Sequence, residues 1–139
     1  MSKTYRVVTD IHAAPDRVLA ILCDVERWPE WTSTMTSVHR LDPGAFRVGC
    51  RAHVRQPKLK PAVWRVTELD ARHFTWTTSG PGIRMTARHD VEPHGAGSRV
   101  TLSIEFSGLL AWLAARVAGD LTQHYIAIEA EGLKRRSES

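Results

Sequence analysis

Cysteine is scarce in this chain: only Cys23 and Cys50 occur in 139 residues, with no CxxC pair and no framework spacing. This composition fits a reducing compartment and a fold that needs no disulfide, with both residues expected as small buried apolar side chains. Long apolar runs are missing as well. The most lipophilic stretch, residues 109–118, carries Arg116 and falls well short of the ~20 residues a membrane span requires. Residues 1–10 are polar and strand-like and lack the apolar centre of a signal peptide. A soluble, cytoplasmic chain without a membrane span is therefore expected. The seven histidines show no HExxH, no HxH pair and no clustering with cysteine, so neither a metal nor a cofactor is expected. No GxSxG occurs, and no serine has a visible partner base. The formal charge of +4 comes from scattered residues, with a single basic run at Lys134, Arg135 and Arg136. That is a solvated tail, and no nucleic-acid partner is expected.

The length matches one domain, residues 1–139, and suffices for a sizeable core. A hydrophobic share of 42% and a charged share of 24% are those of a globular protein. Residues 4–11 alternate as a strand, with Tyr5, Val7, Thr9 and Ile11 on one face. Pro15 suits a first helical turn and Asp16 its positive dipole end. Val18, Ile21, Leu22 and Val25 then form an apolar stripe, and Pro29 limits residues 26–31 to a short second helix or turn.

Between Thr34 and Ser107 short alternating runs are separated by turn residues at 42–44, 80–82 and 93–97. The glycines at 80–82 and 95–97 stand between strands, not before a helix, and are turns, not phosphate loops. Six antiparallel strands are predicted, at 35–41, 48–56, 62–69, 73–78, 83–92 and 98–106. Residues 109–134 contain no proline and read as one long helix, with Gly119 a mild weak point and Leu110, Leu113, Val117, Leu121, His124 and Ile128 along one apolar stripe. An α+β architecture follows, a curved seven-stranded antiparallel sheet (β-α-α-β6-α) wrapped around a long C-terminal helix.

The segments 11–18, 24–31 (Asp-Val-Glu-Arg-Trp-Pro-Glu-Trp), Pro43-Gly44 with Val48-Gly49, and 89–108, in this order, span nearly the whole chain. In that order they resemble the polyketide cyclase/dehydrase branch of the START-like (SRPBCC, Bet v 1-like, helix-grip) superfamily. The resemblance implies a cavity between sheet and helix that holds a small hydrophobic molecule. Its walls would be Phe74, Trp76, Met85, Ala87, His89, Leu102, Ile104 and Phe106 from the sheet and Leu113, Val117, Leu121, His124 and Ile128 from the helix. The alternative is that these side chains meet and leave no hole, as interiors usually do.

Two polar residues stand among those apolar positions. His89 shares a strand face with Met85, Ala87 and Val91, and His124 lies on the helix stripe one turn after Asp120. Each is a candidate proton-transfer group or hydrogen-bond donor to a ligand carbonyl, or alternatively a satisfied core or rim histidine. Trp28 and Trp31 are expected to staple the short helices to the sheet, the alternative being that they guard the cavity mouth. Arg65 is expected to face outward, although alternation alone does not decide between it and Trp64.

Three functions fit: binding of a lipid, polyketide-like or aromatic molecule; cyclase- or aromatase-like aldol condensation or dehydration in the cavity; and interaction with a protein partner such as a chaperone. The fold hosts many activities. No large apolar stripe is expected to remain for a protein surface, and the chain is expected to act as a monomer or homodimer.

Overall fold

The computed structural model describes residues 2–139. Strand β1 (Ser2–Ile11) leads into helix α1 (Pro15–Cys23) and a 3-10 helix (Val25–Glu30). Strands β2 (Ser37–Arg40), β3 (Arg51–Arg55), β4 (Ala62–Leu69), β5 (His73–Gly80), β6 (Ile83–His94) and β7 (Gly97–Ser107) follow, and helix α2 (Ala111–Glu138) closes the chain. The strands form one antiparallel sheet in the order β1-β7-β6-β5-β4-β3-β2. Consecutive strands from β2 to β7 are hairpin neighbours, while β1 returns to pair with β7, Ser2 opposite Ser107 and Ile11 opposite Ser98. The two short helices thus carry the chain from one edge of the sheet to the other. The α+β helix-grip architecture is the one the alternation implied.

Pro15 occupies the first turn of α1 as expected, and Val18 and Leu22 are buried beneath it. Pro29 and the short length keep residues 25–30 in the tighter 3-10 form. Trp28 is fully buried there and donates its indole N–H to the Leu22 carbonyl at 2.9 Å, so its one polar atom is satisfied inside the core. In β4, Trp64 and Val66 face the core and Arg65 faces solvent.

Helix α2 departs from the predicted stripe. Leu113, Val117 and His124 are exposed, Val117 by 79%, and Leu121 and Ile128 are only half-buried. The covered face consists instead of Gly119, Tyr125, Ile126, Glu129, Ala130, Gly132, Leu133 and Ser137. The reason is distance. A Cβ at Gly119 would collide with the Tyr5 hydroxyl, and one at Gly132 would collide with the Trp31 carbonyl. At these two points the helix lies so close to its neighbours that glycine must face them, so the stripe of Leu113, Val117 and His124 points away. Gly119 is therefore also a contact point for Tyr5.

Candidate functional site

Between the concave sheet and α2 lies a small cavity of about 30 Å³, room for roughly two ordered waters. Trp28, Trp64, Trp76, Ala87, Leu102, Ile104 and Ile126 line it, together with His89 and Glu129. Its indoles touch one another: Trp76 lies 5.6 Å from Trp28 and 5.8 Å from Trp64, centroid to centroid. The site is an aromatic box with the buried side chains of His89 and Glu129 in its wall.

His89 is 3% exposed. Its Nδ1 lies 2.7 Å from the Phe74 carbonyl oxygen, which can only accept, so Nδ1 carries the proton and Nε2 keeps its lone pair. The ring stacks on Phe74 at 4.6 Å and meets Trp28 edge-on at 5.5 Å. Burial pushes its pKa down to about 4, against a smaller opposing effect of the Phe74 carbonyl. At neutral pH it is an uncharged acceptor, not an imidazolium.

Glu129 was not among the residues the sequence pointed to. It is 6% exposed on the inner face of α2. Its Oε2 accepts a hydrogen bond from Thr34 Oγ1 at 2.9 Å, and Thr34 Oγ1 is in turn 2.9 Å from Thr32 Oγ1. Burial raises the carboxyl pKa to about 7, and the Thr34 hydroxyl only partly offsets this. No cationic partner compensates the charge among the described residues. The signal was present in the phase of the helix: Glu129 falls three residues after Ile126 and four before Leu133 on the covered face. A carboxylate does not mark an apolar face, and the leucines and valine at 110, 113, 117 and 121 mark another one.

Of the other residues expected at the wall, Phe74 is buried behind His89, Met85 borders a neighbouring groove, and Phe106 packs edge-on against Tyr5 at 5.5 Å. From α2, none of Leu113, Val117, Leu121, His124 or Ile128 lines the cavity. Ile128 borders a surface groove beside Trp31 and Arg135. His124 and Asp120 are both exposed, and among the described residues no hydrogen bond joins them. The oriented acid–base pair expected there does not form, because the stripe that carried it faces solvent.

A groove of about 250 Å³ adjoins the cavity, bordered by Leu59, Pro61, Gly80, Ile83 and Met85, and Gln56 and Trp64 line both spaces. Tyr125 donates its hydroxyl hydrogen bond to the Pro57 carbonyl and ties α2 to the β3–β4 loop beside this groove. Among the described residues no three His, Cys, Asp or Glu side chains gather to hold a metal ion. Nor is any described helix long and apolar enough to cross a membrane.

A family model described as polyketide cyclase / dehydrase and lipid transport matches residues 2–138. Among solved structures, TTHA0849 from Thermus thermophilus has a TM-score of 0.78 at 20% identity, with 97% of each chain covered. The Zhui aromatase/cyclase from Streptomyces sp. R1128 has a TM-score of 0.77 at 16% identity over 99% of this chain and 94% of that one. Ara h 8.0201 has a TM-score of 0.75 at 16% identity over 99% and 98%. These likenesses establish a shared fold. No curated protein matches the sequence.

Proposed function

This chain belongs to the polyketide cyclase / dehydrase and lipid transport family, and from that premise we propose that it binds one small hydrophobic molecule bearing a carbonyl or hydroxyl group. The molecule sits between sheet and α2, its apolar part against Trp28, Trp64 and Trp76 and its oxygen on Glu129. The observation that carries this reading is the buried Glu129 carboxyl in an aromatic wall, hydrogen-bonded to a single hydroxyl. Protonated, it donates to a ligand carbonyl; ionised, it accepts from a ligand hydroxyl. His89 Nε2 offers a second acceptor. A few well-placed polar groups in an apolar wall are what small-molecule sites use for orientation.

The cavity of about 30 Å³ is far smaller than such a ligand. Binding therefore opens it. The route that needs least rearrangement joins it to the adjoining groove by moving Trp64, Gln56 and the β3–β4 loop away from Tyr125. Family membership and the helix-grip fold support hydrophobic-ligand binding; the anchors and the route are our reading.

A second reading is supported by the same carboxyl. A group that titrates near 7 in a dry site is matched to proton transfer at neutral pH, as an aldol condensation or dehydration of a polyketone requires. Positioning by the aromatic box would supply the rest.

Both readings are tested by denaturing extraction of the purified protein followed by mass spectrometry, with a thermal-shift screen of aromatic and lipid compounds. A co-purified apolar compound, or stabilisation that weakens in Glu129→Gln, supports binding. Turnover of a polyketone analogue with a pH profile abolished in Glu129→Gln supports catalysis. No compound and no stabilisation by any class tested would exclude the ligand reading.

A further inference from the structure

The sequence left no apolar stripe for the surface, yet the structure displays one. Leu109 is 89% exposed and Trp112 56%, and Leu110, Leu113 and Val117 are exposed with them at the start of α2. Trp112, Leu113 and Val117 recur at helical spacing on α2, and Leu109 extends that exposed patch from the turn before the helix.

Three loops meet beside that strip. The β7–α2 turn joins the β5–β6 turn through the Leu110 N–H, which donates to the Gly82 carbonyl at 2.8 Å. The β3–β4 loop lies across the groove from the β5–β6 turn, with Leu59 exposed at its tip. The start of β1 belongs to the same end, because Ser2 pairs with Ser107.

The charges at this end have one sign. Lys3, Lys58, Lys60, Arg84 and Arg116 lie here, and residues 2–4, 57–62, 79–84 and 107–117 contain no Asp or Glu. Among the described residues none of those five cations is in an ion pair, whereas Arg51 and Arg99 elsewhere are held by Asp42 and Asp10. Apolar side chains including a tryptophan, ringed by unpaired Lys and Arg, are the chemistry of a segment that lies in the interface of a bilayer with anionic headgroups. A two-fold pairing with a second copy would instead press like charges together.

We propose that this end of the molecule docks on an anionic lipid surface, with Leu109, Trp112, Leu113 and Val117 at headgroup depth and the five cations on the phosphates. The inference goes beyond the ligand reading and does not depend on it. It does place the groove between the β3–β4 and β5–β6 loops against the bilayer.

The experiment is co-sedimentation of the intact protein with phosphatidylcholine vesicles, with and without phosphatidylglycerol, while following tryptophan emission. Trp28, Trp31, Trp64 and Trp76 are buried, so a blue shift on binding that disappears in Trp112→Phe reports this strip. Binding is expected only with phosphatidylglycerol, falling with salt. Each of Lys58→Glu and Lys60→Glu should lower partition by about fivefold or more per site. Equal binding to both vesicles, or binding to neither, would overturn the proposal. So would elution as a dimer whose Trp112 emission is already blue-shifted without vesicles, which would assign the strip to a second copy. Circular dichroism and the melting temperature of each variant separate lost docking from lost folding.

Discussion

Thr34 Oγ1 lies 2.9 Å from Glu129 Oε2 and bridges the segment after the 3-10 helix to the inner face of α2, 95 residues further along the chain. It is the hydrogen bond the buried carboxyl accepts at the cavity wall; burial sets the carboxyl's charge state, and this bond partly offsets it.

Glu129→Gln should reshape the pH dependence of stability. The folded chain keeps the Glu129 proton up to about pH 7, while an unfolded glutamate releases it near 4.5. Below 4.5 both states are protonated, and as pH rises to 7 the folded state loses roughly 1.4 kcal/mol per unit, about 3 kcal/mol in all. The Gln variant lacks this loss, so its stability relative to the parent should climb over that window. Urea unfolding at a series of pH values measures it, and a flat difference would refute the raised pKa.

His89→Phe should act with the opposite sign. An unfolded histidine takes up a proton near 6.5 and the folded one only near 4. That group's contribution is complete above 6.5 and is lost as pH falls through the interval, again by about 3 kcal/mol. The variant should therefore gain on the parent as pH drops from 6.5 to 4. In the parent the two opposed slopes largely cancel between 4.5 and 6.5, so these two groups together leave its profile nearly level there.

Thr34→Val removes the donor to Glu129 and leaves a buried carboxyl without its partner. A loss of about 1–3 kcal/mol is expected above pH 7. The Glu129 titration should also move further up, since the hydroxyl is the group that pulls it down. Carboxyl-carbon NMR titration of the two proteins reads the shift directly.

Tyr125→Phe unties α2 from the β3–β4 loop. A stability change of about 1 kcal/mol is expected, with faster amide exchange confined to residues 58–60. If the groove is the way in, association of an apolar fluorescent probe such as 1-anilinonaphthalene-8-sulfonate should accelerate. An unchanged rate with faster loop exchange would place the access route elsewhere.

Gly132→Ala and Gly119→Ala separate two kinds of close approach. At Gly132 the new methyl meets the backbone carbonyl of Trp31, which cannot yield without moving the chain. A loss of about 1–3 kcal/mol is expected. At Gly119 the obstacle is the far end of the Tyr5 side chain, and alanine's helix propensity returns about 1 kcal/mol. That variant should be near neutral, and thermal unfolding distinguishes the two.

Much of the fold could be read from spacing. Alternation in residues 98–106 and turn residues at 80–82 and 95–97 located the hairpins, because strand period and turn chemistry are local properties. The sheet wall at Trp76, Ala87, His89, Leu102 and Ile104 followed the same local parity, and the burial of Trp28 followed from a bulky indole beside Pro29. The helical half of the site did not. Leu113, Val117 and His124 looked like a buried stripe and face solvent, while Glu129, outside that stripe, lines the cavity.

The chain's own pattern of alternation, proline and glycine therefore settled the order of strands and helices and the inner face of the sheet, since each depends on neighbours a few residues away. Which face of α2 turns inward was decided only in three dimensions. Tyr5 and Trp31, far away in sequence, approach the helix so closely that Gly119 and Gly132 must face them. That rotation brings Glu129 to Thr34 and leaves Trp112 outside. Close packing between distant segments, not the hydrophobicity of the helix itself, sets its phase.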